Sequence, residues 1–192
     1  MATITTPASL PWTGDDEADR LIASDPNALL IGFALDQQVT VQKAFSGPLE
    51  ISRRLGSLDP ARIAATDPGE LERLFRERPA IHRFPGAMAQ RVQALCAVIS
   101  ERYGGDGSRV WRDAADAADM QKRLAELPGI GDMKVRSLTA TLVKRFGYQP
   151  DGYLDVLPNF PTLGDVDSTD ALAAYQAAKR AHKAAMRKAA GK

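Results

Sequence analysis

The chain has 192 residues and a mass of 20.7 kDa, with 44% apolar residues, 26% charged residues and a net charge of +1. That is the composition of one globular domain, or of one domain built as two lobes around a cleft. With twelve Pro and fifteen Gly scattered along it, wholesale disorder and collagen-like or low-complexity readings are excluded. No run of roughly 18 apolar residues exists to span a membrane. The N-terminus lacks the basic and apolar regions of a secretory signal, and one cysteine, Cys96, rules out an intramolecular disulfide, a multi-cysteine zinc site and an all-cysteine iron–sulfur cluster. A reducing, cytoplasmic setting is expected.

In chain order, the acids Asp15, Asp16, Glu17 and Asp19 crowd the N-terminal segment. Asp25-Pro26 places an N-cap before proline at the first helical position and opens a helix through Asn27 to Gln37. That helix is apolar nearly all round, as a buried central helix should be. Thr40 caps a second helix, which Ser46-Gly47-Pro48 restarts towards Leu55. Asp67-Pro68 repeats the cap signal, with Leu71, Leu74 and Phe75 at helical spacing. Pro85 starts a helix whose apolar face is Met88, Val92, Leu95, Val98 and Ile99, and Gly104-Gly105 stops it. A further helix runs to Leu127, then a tight turn, then a helix from about Asp132 to Phe146. The stretch from Gly147 to Gly164 reads as a loop. Asp167, Ser168 and Thr169 offer caps to a last, Ala-rich helix. No strand alternation interrupts the pattern, and the class is all-α.

The most informative segment is Leu127-Pro128-Gly129-Ile130-Gly131, between two helical patterns. Two glycines two residues apart permit a turn that most side chains would block. Gly131 leads into a helix N-terminus, where free amides and the helix dipole favour an anion. Such a hairpin can hold a nucleic-acid phosphate through its main chain without reading sequence. A plain helix–turn–helix linker accounts equally well for the bare pattern. Lys134, Arg136, Lys144 and Arg145 put cations on or near the following helix. A basic C-terminal run adds Lys179, Arg180, Lys183, Arg187, Lys188 and Lys192 with no acid after Asp170.

The longer string, Leu127 to Gly147, closely resembles the helix-hairpin-helix of the helix-hairpin-helix-GPD superfamily of base-excision DNA glycosylases, the endonuclease-III-like group. The resemblance runs from about Asp25 to Thr169 and is most specific at the hairpin. It implies a two-lobed all-α fold. Residues 25–146 would form a helical lobe ending in the hairpin. Residues 1–24 would pack with a C-terminal lobe made of residues 147–192, a long loop and a basic helix. Ala34 to Thr40 resembles the segment whose glutamine fills the gap left by a flipped base, which implies Gln38 or its neighbour Gln37. The loop Ile81 to Gly86 would lie near DNA. Phosphate contacts would fall on the amides of Gly129, Gly131 and Met133 or Lys134, with Ile130 pinning the turn. A monovalent cation would sit on the carbonyls of Ala125, Leu127 and Ile130; no other cofactor, and no iron–sulfur cluster, is implied.

A glycosylase must extrude a nucleotide and break its N-glycosidic bond, and a carboxylate must stabilise the cationic sugar. The resemblance implies Asp167, in Val-Asp-Ser before a helix. An ungapped count from the hairpin lands on Asp151 instead, Asp165 is a third candidate, and a simple N-cap role would also explain Asp167. The lysine that gives relatives their lyase chemistry falls on Met133. Lys134 is one residue later, about 100° round the helix. The implied activity is therefore a monofunctional glycosylase acting on double-stranded DNA as a monomer. A non-catalytic DNA-binding protein is the alternative. His82 reads as a surface residue, with a DNA contact from its loop as the alternative; Trp12 and Trp111 read as packing residues, Tyr148 and Tyr153 as loop tyrosines packing on their own domain, with stacking on a base as the alternative, and Cys96 as a core thiol.

Overall fold

Aspartate followed by proline recurs at Asp25-Pro26, Asp59-Pro60 and Asp67-Pro68. At each the carboxylate accepts an N-terminal amide while proline fills the first turn. These signals open α2 (Pro26–Leu35), α4 (Pro60–Ala65) and α5 (Pro68–Arg76). The computed structural model describes residues 5–189, and every regular element among them is helical. The remaining elements are α1 (Asp16–Ser24), α3 (Val41–Leu55), α6 (Pro85–Tyr103), α7 (Arg109–Arg112), α8 (Ala117–Ala125), α9 (Asp132–Lys144), α10 (Tyr153–Val156), a 3-10 turn (Leu163–Asp165) and α11 (Thr169–Ala189). None of the helices described is long and apolar enough to cross a membrane.

Four departures from the sequence reading have identifiable causes. The N-terminal acids form a helix start: Asp15 caps Glu17 and Ala18, and Asp16, Glu17 and Asp19 complement the dipole of α1 in its first turn. The helix expected to restart at Pro48 is continuous. Pro48 removes one main-chain bond, but Gly47 and Pro48 are both buried. A Cβ on Gly47 would lie 2.4 Å from Leu35 Cδ1, so packing against α2 holds α3 straight through. The helix expected to reach Leu127 is two helices, because Asp113 ends α7 and Asp116 caps α8 through the amide of Asp119. The loop after Gly147 holds α10 and the 3-10 turn, the latter closed by a reciprocal Thr162–Asp165 capping box.

The core is one continuous apolar cluster organised on α2, whose residues Ala28 to Leu35 are all buried. Trp12, Phe33 and Phe45 meet edge to face with centroids 4.9–6.2 Å apart. Trp12 Nε1 donates to Val166 O, tying the N-terminal segment to the stretch before α11. The amide of Thr5 bonds Phe146 O. Trp111 and Cys96 are buried as the sequence suggested. Burial pushes the Cys96 thiol up to about 12, which keeps it protonated and inert.

The 3-10 turn lies directly on α9. A Cβ on Gly164 would meet the Ala140 backbone carbonyl at 2.6 Å, a contact that no side-chain rotation relieves. Gly164→Ala should therefore destabilise the fold by roughly 2 kcal/mol, the scale of core overpacking, measured by urea denaturation. A stability unchanged from the wild type would show that the turn is not seated on α9.

Candidate functional site

Three segments that the resemblance placed near DNA meet around the C-terminus of α2. The first is Asp36 to Thr40, which turns sharply: Asp36 N donates back to Gly32 O and Phe33 O, and Gln38 adopts φ +56°, the left-handed region that non-glycine residues seldom occupy. Gln37 and Gln38 are both exposed. The second is the loop before α6. His82 is buried, not a surface residue as the sequence suggested, because its ring is the bolt between two loops. Nε2 lies 3.0 Å from Gln37 O, and the amide of Phe84 donates to Nδ1 at 3.0 Å. Gln37 O can only accept and Nδ1 is already accepting, so the ring is the neutral Nε2–H tautomer. The third segment is the hairpin itself.

In the hairpin the two glycines have different reasons to be glycine. Gly129 has φ +85°, and its missing side chain makes room for the Arg91 stem, whose Cδ would lie 2.6 Å from a Cβ there. Arg91 continues over the turn and donates to Gln37 Oε1, joining hairpin to loop. Gly131 is different. Its φ is −87°, and a Cβ there would meet nothing within 4 Å, so the fold does not require glycine at this position. It is the N-cap of the 13-residue α9, without a side-chain cap. Among the described residues the amides of Gly129, Gly131, Asp132 and Met133 meet no acceptor. The Lys134 amide is not free, because it donates to Gly131 O at 2.8 Å. Ile130 is buried and pins the turn.

Lys134 does not extend outward from the hairpin as a phosphate-contacting side chain would. Its ammonium turns under the turn, donating to Gly129 O at 2.9 Å and Ala34 O at 3.2 Å, and so satisfies an orphan carbonyl of α2. Burial lowers its pKa to about 8. The nearby Asp36 charge pulls it back up, and Arg91 and Lys179 push it down. Met133, at the position of the lyase lysine, is 65% exposed and points to solvent. Of the three carbonyls suggested for a monovalent cation, those of Ala125 and Ile130 accept no hydrogen bond among the described residues. That of Leu127 accepts one from Ile130 N. Each keeps at least one lone pair, so the oxygen donors suit a hard monovalent ion.

The three candidate carboxylates fare differently. Asp165 is engaged: Lys144 Nζ is 2.5 Å away, and the Thr162 amide and hydroxyl bond its other oxygen. Asp151 is exposed in a turn held by its main chain, where its carbonyl accepts from Ala117 N. Asp167 is exposed in the connection to α11 and does not cap it, since Ser168 Oγ takes the Ala171 amide. Tyr148 cannot stack on a base: it is buried, with its hydroxyl on Trp111 O at 2.6 Å. Tyr153 is half-buried at the start of α10. In α11, Lys179 is exposed with Nζ 5.7 Å from the Tyr175 ring centroid. The side chains of His182, Lys183, Arg187 and Lys188, and all of Lys192, lie outside the described residues.

The sequence missed Arg91 as a member of this site, and it named His82 only within a loop expected near DNA, not as the partner of Gln37. His82 and Gln37 are 45 positions apart, and Arg91 and Gln37 are 54 apart. Compared with models of protein families and with curated proteins, the chain matches none.

Burial, reinforced by Arg91 and Lys43, holds His82 below its ordinary value of about 6.5, against the opposing pull of its bond to Gln37 O. The unfolded chain therefore takes up this proton more readily than the native one. The neutral ring's contribution is complete above about pH 6.5 and is lost as pH falls towards the lowered native value. Denaturation midpoints between pH 8 and 5 should show that decline, and His82→Gln should flatten it. An equal acid slope in the variant would remove His82 as its source.

Proposed function

We propose that the chain is a monofunctional DNA glycosylase with a helix-hairpin-helix-GPD fold, acting as a cytoplasmic monomer on double-stranded DNA. The observation that carries this reading is the uncapped N-terminus of α9 behind a glycine that the fold does not need. A bare Gly131 leaves room for an outside group to approach the free amides, and the helix dipole makes that group an anion. A DNA phosphate would be held there by main chain alone. Ala125, Leu127 and Ile130 carbonyls would hold a monovalent cation, whose charge would add to the attraction for that phosphate. Gln38, exposed and strained beside the hairpin, would enter the gap left by an extruded nucleotide, with Gln37 fixed behind it by His82 and Arg91.

Chemistry on the extruded nucleotide requires a carboxylate near the sugar and a water nucleophile. The resemblance gives that carboxylate to Asp167. A lyase step is not proposed, because Met133 has no amine and Lys134 is turned onto two carbonyls. The competing reading, a DNA-binding protein without catalysis, draws on the engagement of Asp165 and the solvent-facing place of Asp151.

Two experiments test this reading. Gly131→Asp puts a capping carboxylate on the free amides. It should leave stability equal or higher by up to about 1 kcal/mol while weakening salt-dependent duplex binding by at least about tenfold. Undiminished binding would remove the hairpin from the interface. Asp132→Asn should act the other way and strengthen binding, because Asp132 is exposed beside the same amides. Base release from duplexes carrying uracil, alkylated purines, oxidised bases or adenine opposite oxidised guanine tests the reaction itself. Salt-sensitive binding with no release from any of them would favour the non-catalytic reading.

A further inference from the structure

Only the first turns of α11 are packed. Leu172 is buried, and Tyr175 and Gln176 are half-buried. Gln176 exchanges side-chain amide bonds with Gln42, in the first turn of α3, at 2.7 and 3.5 Å. Thr40, which caps α3, lies two residues after the exposed Gln38. This contact therefore sets α11 beside the loop that Arg91 joins to the hairpin. The Lys179 charge is felt at the hairpin, where it helps to lower the Lys134 pKa. From residue 177 onwards, every residue of α11 whose side chain is described is exposed. The helix nevertheless continues to Ala189. This unpacked stretch of 13 residues has a length of about 20 Å at the usual helical rise.

At this length a helix without packing is marginal in water, and the charges here work against it. Lys179, Lys183 and Arg187 recur at steps of four, with Arg180 and Lys188 next to them, and no acid follows Asp170 to pair with any of them. Like charges at that spacing repel. The ion pairs among the described residues involve neither Lys179 nor Arg180. The stretch also has no Trp, Phe or Leu with which to enter a lipid surface. A polyanion laid alongside would turn this repulsion into attraction along the whole length. We propose that α11 beyond Gln176 lies along the phosphate backbone of double-stranded DNA, flanking the nucleotide held at the hairpin. Its reach corresponds to about six base pairs of duplex. The contact is sequence-independent and adds to the main-chain grip of the hairpin. The proposal rests on the DNA-binding part of the glycosylase reading and holds whether or not a base is released.

The test uses the full chain and an undamaged duplex, titrated over a range of salt concentrations. Lys179→Gln combined with Arg180→Gln should weaken binding by at least about tenfold and lower the slope of log affinity against log salt by about two. Thermal stability should stay equal or rise, because both side chains are exposed. Lys179→Arg combined with Arg180→Lys keeps both charges and should bind as the wild type does. If the charge-keeping pair binds as weakly as the glutamine pair, the loss comes from packing and the proposal is overturned. An unchanged affinity and slope in the glutamine pair, with binding still weakened by Gly131→Asp, overturns it and leaves DNA binding at the hairpin intact. No wild-type binding to the duplex overturns the DNA reading and this proposal together. Vesicles containing phosphatidylserine are the second probe. Wild-type binding to them that the glutamine pair loses, with the duplex slope unchanged, would assign α11 to a membrane and overturn the proposal.

Discussion

Everything around the candidate site follows from the burial of α2. A helix whose side chains from Ala28 to Leu35 are all enclosed cannot leave its last carbonyls to solvent. Gly32 and Phe33 are served by the Asp36 amide, Leu35 by the Gln37 amide, and Ala34 by the Lys134 ammonium. Because Lys134 also holds Gly129 O, satisfying α2 and shaping the hairpin are one interaction. Its position in the first turn of α9 is therefore set by a helix 100 residues away in sequence.

From that junction the neighbouring loops acquire their places. Gln37 turns outward because its carbonyl is held by His82 and its amide oxygen by Arg91. Gln38 is then left to absorb the chain reversal in a left-handed conformation, with Thr40 opening α3 two residues on. The strain is local, but the contacts that maintain it come from α6 and its preceding loop. Arg91 serves both sides, with its stem on Gly129 and its guanidinium on Gln37. The loop and the hairpin thus form a supported surface, on which rigid main-chain amides can bind an anion without first being ordered.

The sequence showed the parts of this arrangement that depend on neighbouring residues. Asp25-Pro26 and Asp67-Pro68 marked helix starts, Gly104 a helix end, and Leu127 to Gly131 a turn, because capping and positive φ are local properties. Asp59-Pro60 carried the same signal. Pro48 misled because its cost inside a helix is local, whereas the packing that offsets it comes from Leu35 on α2. His82 was misread because neutral histidines in buried loops and exposed ones share a sequence context.

The offset of Lys134 by one position has a chemical consequence. An amine of pKa about 8 is partly unprotonated near neutrality and so is a better nucleophile than an ordinary lysine. Here, however, attack would require the ammonium to release Gly129 O and Ala34 O together, breaking the junction that shapes the hairpin and leaving an α2 carbonyl unpartnered. Loss of such bonds costs about 1–3 kcal/mol for each buried group left unsatisfied, on top of the chemical barrier. The residue one step earlier, Met133, faces solvent and is free of that structural duty but has no amine. Nucleophile and strut have thus been separated onto different faces of α9, and only the strut carries a nitrogen. On the proposed reading, a water molecule is left as the nucleophile.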